Sequence, residues 1–213
     1  MFRPITALRS LALVVMAFAA TACLAVALIL SPGAAQAQAQ ASPQASPQTA
    51  PPVDNSNDGS SPITVELKGR PAVALAGSAD WDDGMHAIAD AIDRLRVEMS
   101  KAGLEPAGNP LAVFVETDDK GFRYEAMIPL ASQPETAPVL SNGVRIATSP
   151  AGKTMKFEHR GSYDEIDTTY EAITAYLDEK GLEAQNLFVE EYLNLPKTSE
   201  DEGAQVDIYV FLK

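Results

Sequence analysis

The chain repeats itself. Val65-Glu-Leu67-Lys-Gly-Arg-Pro71-Ala72 aligns with Val144-Arg-Ile146-Ala-Thr-Ser-Pro150-Ala151 at an offset of 79. Further on, Lys101-Ala-Gly103-Leu104-Glu105 aligns with Glu179-Lys-Gly181-Leu182-Glu183 at an offset of 78. Two registers within one residue of each other mark a duplication, and a duplicated unit must bury its apolar face against its own copy. Between the anchors each half has one helical stripe, Met85, Ile88, Ile92, Leu95 and Met99 in the first and Ile166, Tyr170, Ile173 and Leu177 in the second. Steps of three and four residues place each set on one helix face. Gly103 and Gly181 follow, where a helix C-terminus takes a residue tolerant of positive φ. After each helix come two apolar runs, 111–115 and 124–130, then 187–193 and 206–212. Each half therefore reads strand–helix–strand–strand, which is an α+β pattern. The halves are expected at 63–130 and 144–213.

The part before the repeat has a different composition. Arg3 and Arg9 precede an uncharged apolar run over 11–30, and small-x-small sites follow at Ala35-Gln36-Ala37 and Ala37-Gln38-Ala39. That is the layout of a secretory signal, while a run of about 20 apolar residues also suffices for a membrane anchor. Residues 1–37 are expected to be one or the other. Both readings put the remainder outside the cytoplasm, in the periplasm or an equivalent space. Residues 38–62, rich in Ala, Gln, Pro and Ser, read as a disordered linker. The single cysteine, Cys23, sits in the apolar run, so the repeat has neither disulfide nor thiol chemistry.

The formal net charge is −13. Arg3, Arg9, Asp54 and Asp58 are the only charges before the repeat and they cancel, so the whole excess lies in the repeat. Such a surface repels phosphate backbones and argues against nucleic-acid binding by charge attraction. There is no helix-turn-helix or basic segment to reverse that expectation. Phosphate loops, dinucleotide fingerprints and Gly-x-Ser-x-Gly elbows are missing as well. The two histidines, His86 and His159, have no cysteine beside them and do not form a zinc pattern, so no metal and no cofactor is expected.

Alternation along 187–193 sorts Leu187, Val189, Glu191 and Leu193 to one face and Phe188, Glu190 and Tyr192 to the other. The second set is a carboxylate between two aromatic rings. It can attract a cation through charge and ring quadrupoles together, more strongly where water is excluded. The matching positions of the first half are Pro110, Ala112 and Phe114, so only one side of a shared pocket would carry an acid. Tyr163 stands after Gly161 at the second helix entrance, where its position alone would pack it on the first helical turn. Trp81, the only tryptophan, stands beside Asp80, Asp82 and Asp83. It either lines the pocket or caps the edge of the core. The candidate ligand residues are Glu190, Tyr192, Phe188, Tyr163, Trp81 and Phe114. For catalysis the candidates would be Glu190 as general base, with Tyr192 or Tyr163 polarising an electrophile.

The string His159-Arg-Gly161-Ser-Tyr163-Asp-Glu-Ile166, with Gly181-Leu-Glu183, Glu190-Glu-Tyr192-Leu-Asn-Leu-Pro196 and Ile208-Tyr-Val210, resembles the GyrI-like family, the effector-binding fold of AraC-type regulators. The likeness is specific over 144–213 and looser over 63–130. It departs at Ser162, where proline is usual, and at Leu195, where an acid is common. The resemblance implies an antiparallel sheet with two helices on one face and a central small-molecule cleft. It also implies bulky cationic or aromatic ligands, hydrolytic activity in a subset, Glu190 as the motif acid, and Tyr163 as a tyrosine that reaches the cleft. Three functions follow as expectations: an exported, monomeric small-molecule binder; a hydrolase in the same cleft; or an envelope protein-interaction module.

Overall fold

The computed structural model describes residues 61–213. The apolar run 11–30, Cys23 and nearly all of the linker lie outside the described residues. Among the described residues no helix is long and apolar enough to cross a membrane.

The first half contains β1 (Ile63–Leu67), β2 (Pro71–Asp80), a short 3-10 turn (Trp81–Asp83), α1 (Gly84–Ala102), β3 (Leu111–Thr117) and β4 (Gly121–Pro129). The second repeats the order with β5 (Arg145–Thr148), β6 (Gly152–Gly161), the turn Tyr163–Glu165, α2 (Ile166–Lys180), β7 (Ala184–Asn194) and β8 (Ala204–Leu212). The α+β duplication is therefore present, with β2-α1-β3-β4 and β6-α2-β7-β8 as its strand–helix–strand–strand modules. Each half also has a short leading strand. All eight strands form one antiparallel sheet in the order β1-β6-β8-β7-β3-β4-β2-β5. Exchanging the halves reads that order backwards, as a pseudo-twofold axis requires. The leading strands are traded, since β1 pairs with β6 and β5 with β2.

Both helices follow from their stripes. Met85, Ile88, Ile92, Leu95 and Met99 are buried under α1, and Ile166, Tyr170, Ile173 and Leu177 under α2. The helices stop at Gly103 and Gly181, with φ of 66° and 61°, a left-handed turn that glycine enters without steric cost. The helix-facing side of the sheet supplies the other half of the main core, including Ala112, Phe114, Phe188, Tyr192 and Ile208.

The other face is not open. From β1 to β2 the chain takes four steps, Leu67 to Pro71, a reach of at most ~15 Å. In a flat sheet six strand spacings would separate those strands, about 29 Å. Thr148 to Gly152 sets the same demand for β5 to β6. The sheet must therefore curl until its edges approach, with the helices on its outside. Its inner face closes over a second core of Ala72, Ala74, Leu111, Val113, Met127, Val189, Tyr209 and Phe211. The two short connections meet where the edges come together: the Arg70 amide donates to Ser149 Oγ at 3.0 Å, and the Ser149 amide to the Arg70 carbonyl at 2.8 Å. Arg70 and Ser149 are equivalent repeat positions, so this contact lies on the pseudo-twofold axis.

Candidate ligand site

The axis also passes through the middle of the sheet. Strands β3 and β7 pair with Ala112 opposite Glu190, and these too are equivalent repeat positions. The acid of the second half thus sits at the junction of the halves, on the helix-facing side, and is 1% exposed. Alternation along β7 sends Phe188 and Tyr192 into the same core layer.

Three phenols converge on Glu190. Tyr163 donates to Oε2 at 2.8 Å, Tyr192 to the same oxygen at 2.7 Å, and Tyr170 to Oε1 at 2.8 Å. Tyr163 opens the turn before α2, Tyr170 follows on the buried face of α2, and Tyr192 lies two residues along β7. A carboxylate offers about four acceptor sites, and these donors fill three. Burial pushes the Glu190 carboxyl above its ordinary value, and the tyrosine hydrogen bonds only partly offset this. Among the described residues it makes no ion pair, and these three phenols are its side-chain hydrogen-bond partners. Burial, and then the charge of Glu190, drive the three phenols well above their usual range, so they stay protonated as donors.

The first half closes the site with hydrocarbon. Trp81, Met85, Phe114 and Phe122 face Tyr163, Ile166, Tyr170 and Glu190 across a void of about 10 Å³. That is scarcely room for one water. The Trp81 and Phe114 rings each stand 5.1 Å from Phe122. The Trp81 indole N–H donates to the Asp118 carbonyl at 2.9 Å, which fastens the ring to the β3–β4 turn.

Of the six expected ligand residues, Glu190, Tyr163, Trp81 and Phe114 line this crevice. Tyr192 reaches it through its hydroxyl. Phe188 stands behind it, with its ring edge-on to Tyr170 at 6.5 Å. Asp80, Asp82 and Asp83 are exposed and do not face the crevice, although Trp81 does. Tyr170 and Phe122 were missed. Tyr170 counted only as a stripe residue, yet a hydroxyl on a buried helix face needs a partner, and that was the available signal. Phe122 falls just before the run recognised at 124–130.

His86 is exposed on α1. His159 is buried, with Nδ1 2.9 Å from Thr169 Oγ1 and Nε2 3.0 Å from the Ser162 carbonyl, and burial lowers its pKa. Among the described residues no group of three or more His, Cys, Asp or Glu is placed to hold a metal ion.

The described domain is thus a pseudo-symmetric curled sheet with an aromatic crevice on its axis. The model of the GyrI-like small molecule binding domain matches residues 61–213, and the chain belongs to that family. No curated protein sequence matches the chain. Among solved structures it is similar to the EcmrR C-terminal domain, at 15% identity and a TM-score of 0.58, covering 72% of this chain and 97% of that one. It spans 57% of the EcmrR chain in an EcmrR–DNA complex, at 14% identity and a TM-score of 0.58, again over 72% of this chain. An uncharacterized conserved protein from Listeria innocua is similar at 16% identity and a TM-score of 0.53, with 71% and 92% of the two chains covered. At these identities the likeness is one of fold.

Proposed function

We propose that the domain captures a lipophilic aromatic cation, and that Glu190 is its counter-ion. The observation that carries this reading is a fully buried carboxylate that has three hydroxyl donors and no ion pair among the described residues. Removing an ion from water costs several kcal/mol unless a counter-charge accompanies it. A cationic ligand would supply that charge, and the surrounding rings would offer it quadrupole attraction. A neutral ligand of the same shape would gain only the apolar contact. Because the void is so small, the ligand must part Trp81 and Phe122 from Tyr163 and Tyr170, and its affinity is reduced by the cost of that opening.

Trp81 is the sole tryptophan and lies in the crevice wall, so its fluorescence reports occupancy directly. The test titrates phenyltrimethylammonium against its neutral isostere tert-butylbenzene. Saturable quenching by the cation, weaker by at least about tenfold for the isostere and lost in Glu190→Gln, is the expected result. Equal affinity for both compounds would remove the counter-ion role.

We also propose that this binder works outside the cytoplasm, on the strength of the apolar run at 11–30 with Arg3 and Arg9 ahead of it. Protease added to intact cells with a permeabilised outer envelope should digest it. Protection until the inner membrane is lysed would place it in the cytoplasm.

A further inference from the structure

The two faces of β7 carry adjacent acids, and the second, Glu191, points into the interior of the curled sheet. There it helps to line a cavity of about 180 Å³ at the mouth of the curl, beneath the meeting point of the two connections. Mouths of curled and closed sheets are common ligand sites. The wall is apolar, formed by Leu111, Val189 and the ring of Tyr209, all buried. A cavity of about 150 Å³ with such a lining holds a benzene molecule, so this one has room for a compound with a small apolar side chain.

Its polar groups are of both signs and leave each other unpaired. Glu191 accepts from Tyr209 Oη at 2.9 Å and from Asn109 Nδ2 at 3.3 Å, and it makes no ion pair among the described residues. Arg70 comes from the connection overhead. Its guanidinium packs on Gly108, 3.0 Å from where a β-carbon would stand, and it too makes no ion pair among the described residues. Lys68 and Glu66 repeat the two signs at the exposed rim. The formal charge of these four side chains is zero, unlike the single negative charge of the crevice on the opposite face.

We propose that this mouth is a second binding site, separate from the Glu190 crevice, for a free α-amino acid with an apolar side chain. The ligand carboxylate meets Arg70, its ammonium meets Glu191, and its side chain lies on Leu111 and Val189. An α-amino acid holds its two charges on adjacent carbons, which suits a guanidinium and a carboxylate too far apart to pair directly. Singly charged relatives would leave one of the two protein charges without a partner.

The test is calorimetric titration of the full chain with L-leucine, L-leucinamide and N-acetyl-L-leucine. Leucine should bind saturably, and each blocked form at least about tenfold more weakly, as expected for loss of one charged hydrogen bond. Arg70→Met and Glu191→Gln should each abolish leucine binding. Both should still bind phenyltrimethylammonium, which shows that they are folded, while Glu190→Gln should keep leucine binding. Absence of saturable leucine binding would overturn the proposal, as would equal affinity for the blocked forms. Loss in Glu190→Gln with retention in Arg70→Met would also overturn it, because the amino acid would then occupy the crevice.

Discussion

A buried carboxylate is held by whatever donors reach it, and at Glu190 all three are phenols. Burial outweighs them, so the folded carboxyl titrates above its ordinary value of 4.5. The linkage sign follows. An acid with a raised folded pKa binds more protons in the folded state than in the unfolded one across the interval between the two values. Its contribution to stability is therefore fully present below about pH 4.5 and declines as pH rises to the folded value. Glu190→Gln removes that titration. The unfolding free energy of the variant relative to wild type should thus improve as pH rises from 4 to 7, as measured by urea denaturation. A difference that stays flat would show that Glu190 titrates alike in both states. Cation capture should run the other way and strengthen with pH as the carboxyl ionises. Tyr163→Phe, which deletes one donor, should move that strengthening to higher pH.

At the scale of elements, the β3–β4 turn decides where the indole stands. Asp118 Oδ1 accepts from the amides of Lys120 and Gly121, at 2.7 and 3.0 Å, and the Asp118 carbonyl accepts from Trp81. Gly121 pairs with Asp80, and a β-carbon on it would lie 2.1 Å from the Ala79 carbonyl oxygen. Backbone must shift to admit it. Gly121→Ala should cost ~1–3 kcal/mol in chemical denaturation and shift Trp81 emission to the red; an unchanged spectrum would mean that the turn does not hold the ring. What was legible in the sequence sorts along similar lines. Both helices, their glycine caps and β3, β4, β7 and β8 announced themselves because their large apolar residues are regularly spaced. The strand expected ahead of each helix had no clear bounds: β2 was hard to place because its inward residues Ala72 and Ala74 are small. Strand β6 was hidden by charge. Lys156 and Arg160 bridge to Glu158 and to Asp207 of β8, so the face turned from the helices looks like solvent-exposed surface. The crevice was half legible for the same reason: Glu190 stood out as an acid between rings, Tyr170 was marked only by a hydroxyl that needs a partner on a buried helix face, and Phe122 was indistinguishable from core.

The described domain is a duplication whose halves are interlocked. Each gives its leading strand to the other, β3 and β7 join them at the centre, and Arg70 and Ser149 tie the connections where the edges meet. A half on its own would lose an edge strand and expose the β3 or β7 edge, and chains of that size already bury a smaller share of their surface than larger domains do. The crevice is likewise divided, with its acid and phenols from one half and Trp81, Phe114 and Phe122 from the other. The fold should therefore melt as one unit despite its internal repeat, with a calorimetric enthalpy equal to the van't Hoff enthalpy. Phenyltrimethylammonium should raise that single transition as a whole, by about 2.7 kcal/mol at a hundred times its dissociation constant. Two transitions, with only the later one responding to the cation, would show that the exchanged strands leave the halves independent and that the binding energy is confined to the half that carries Glu190.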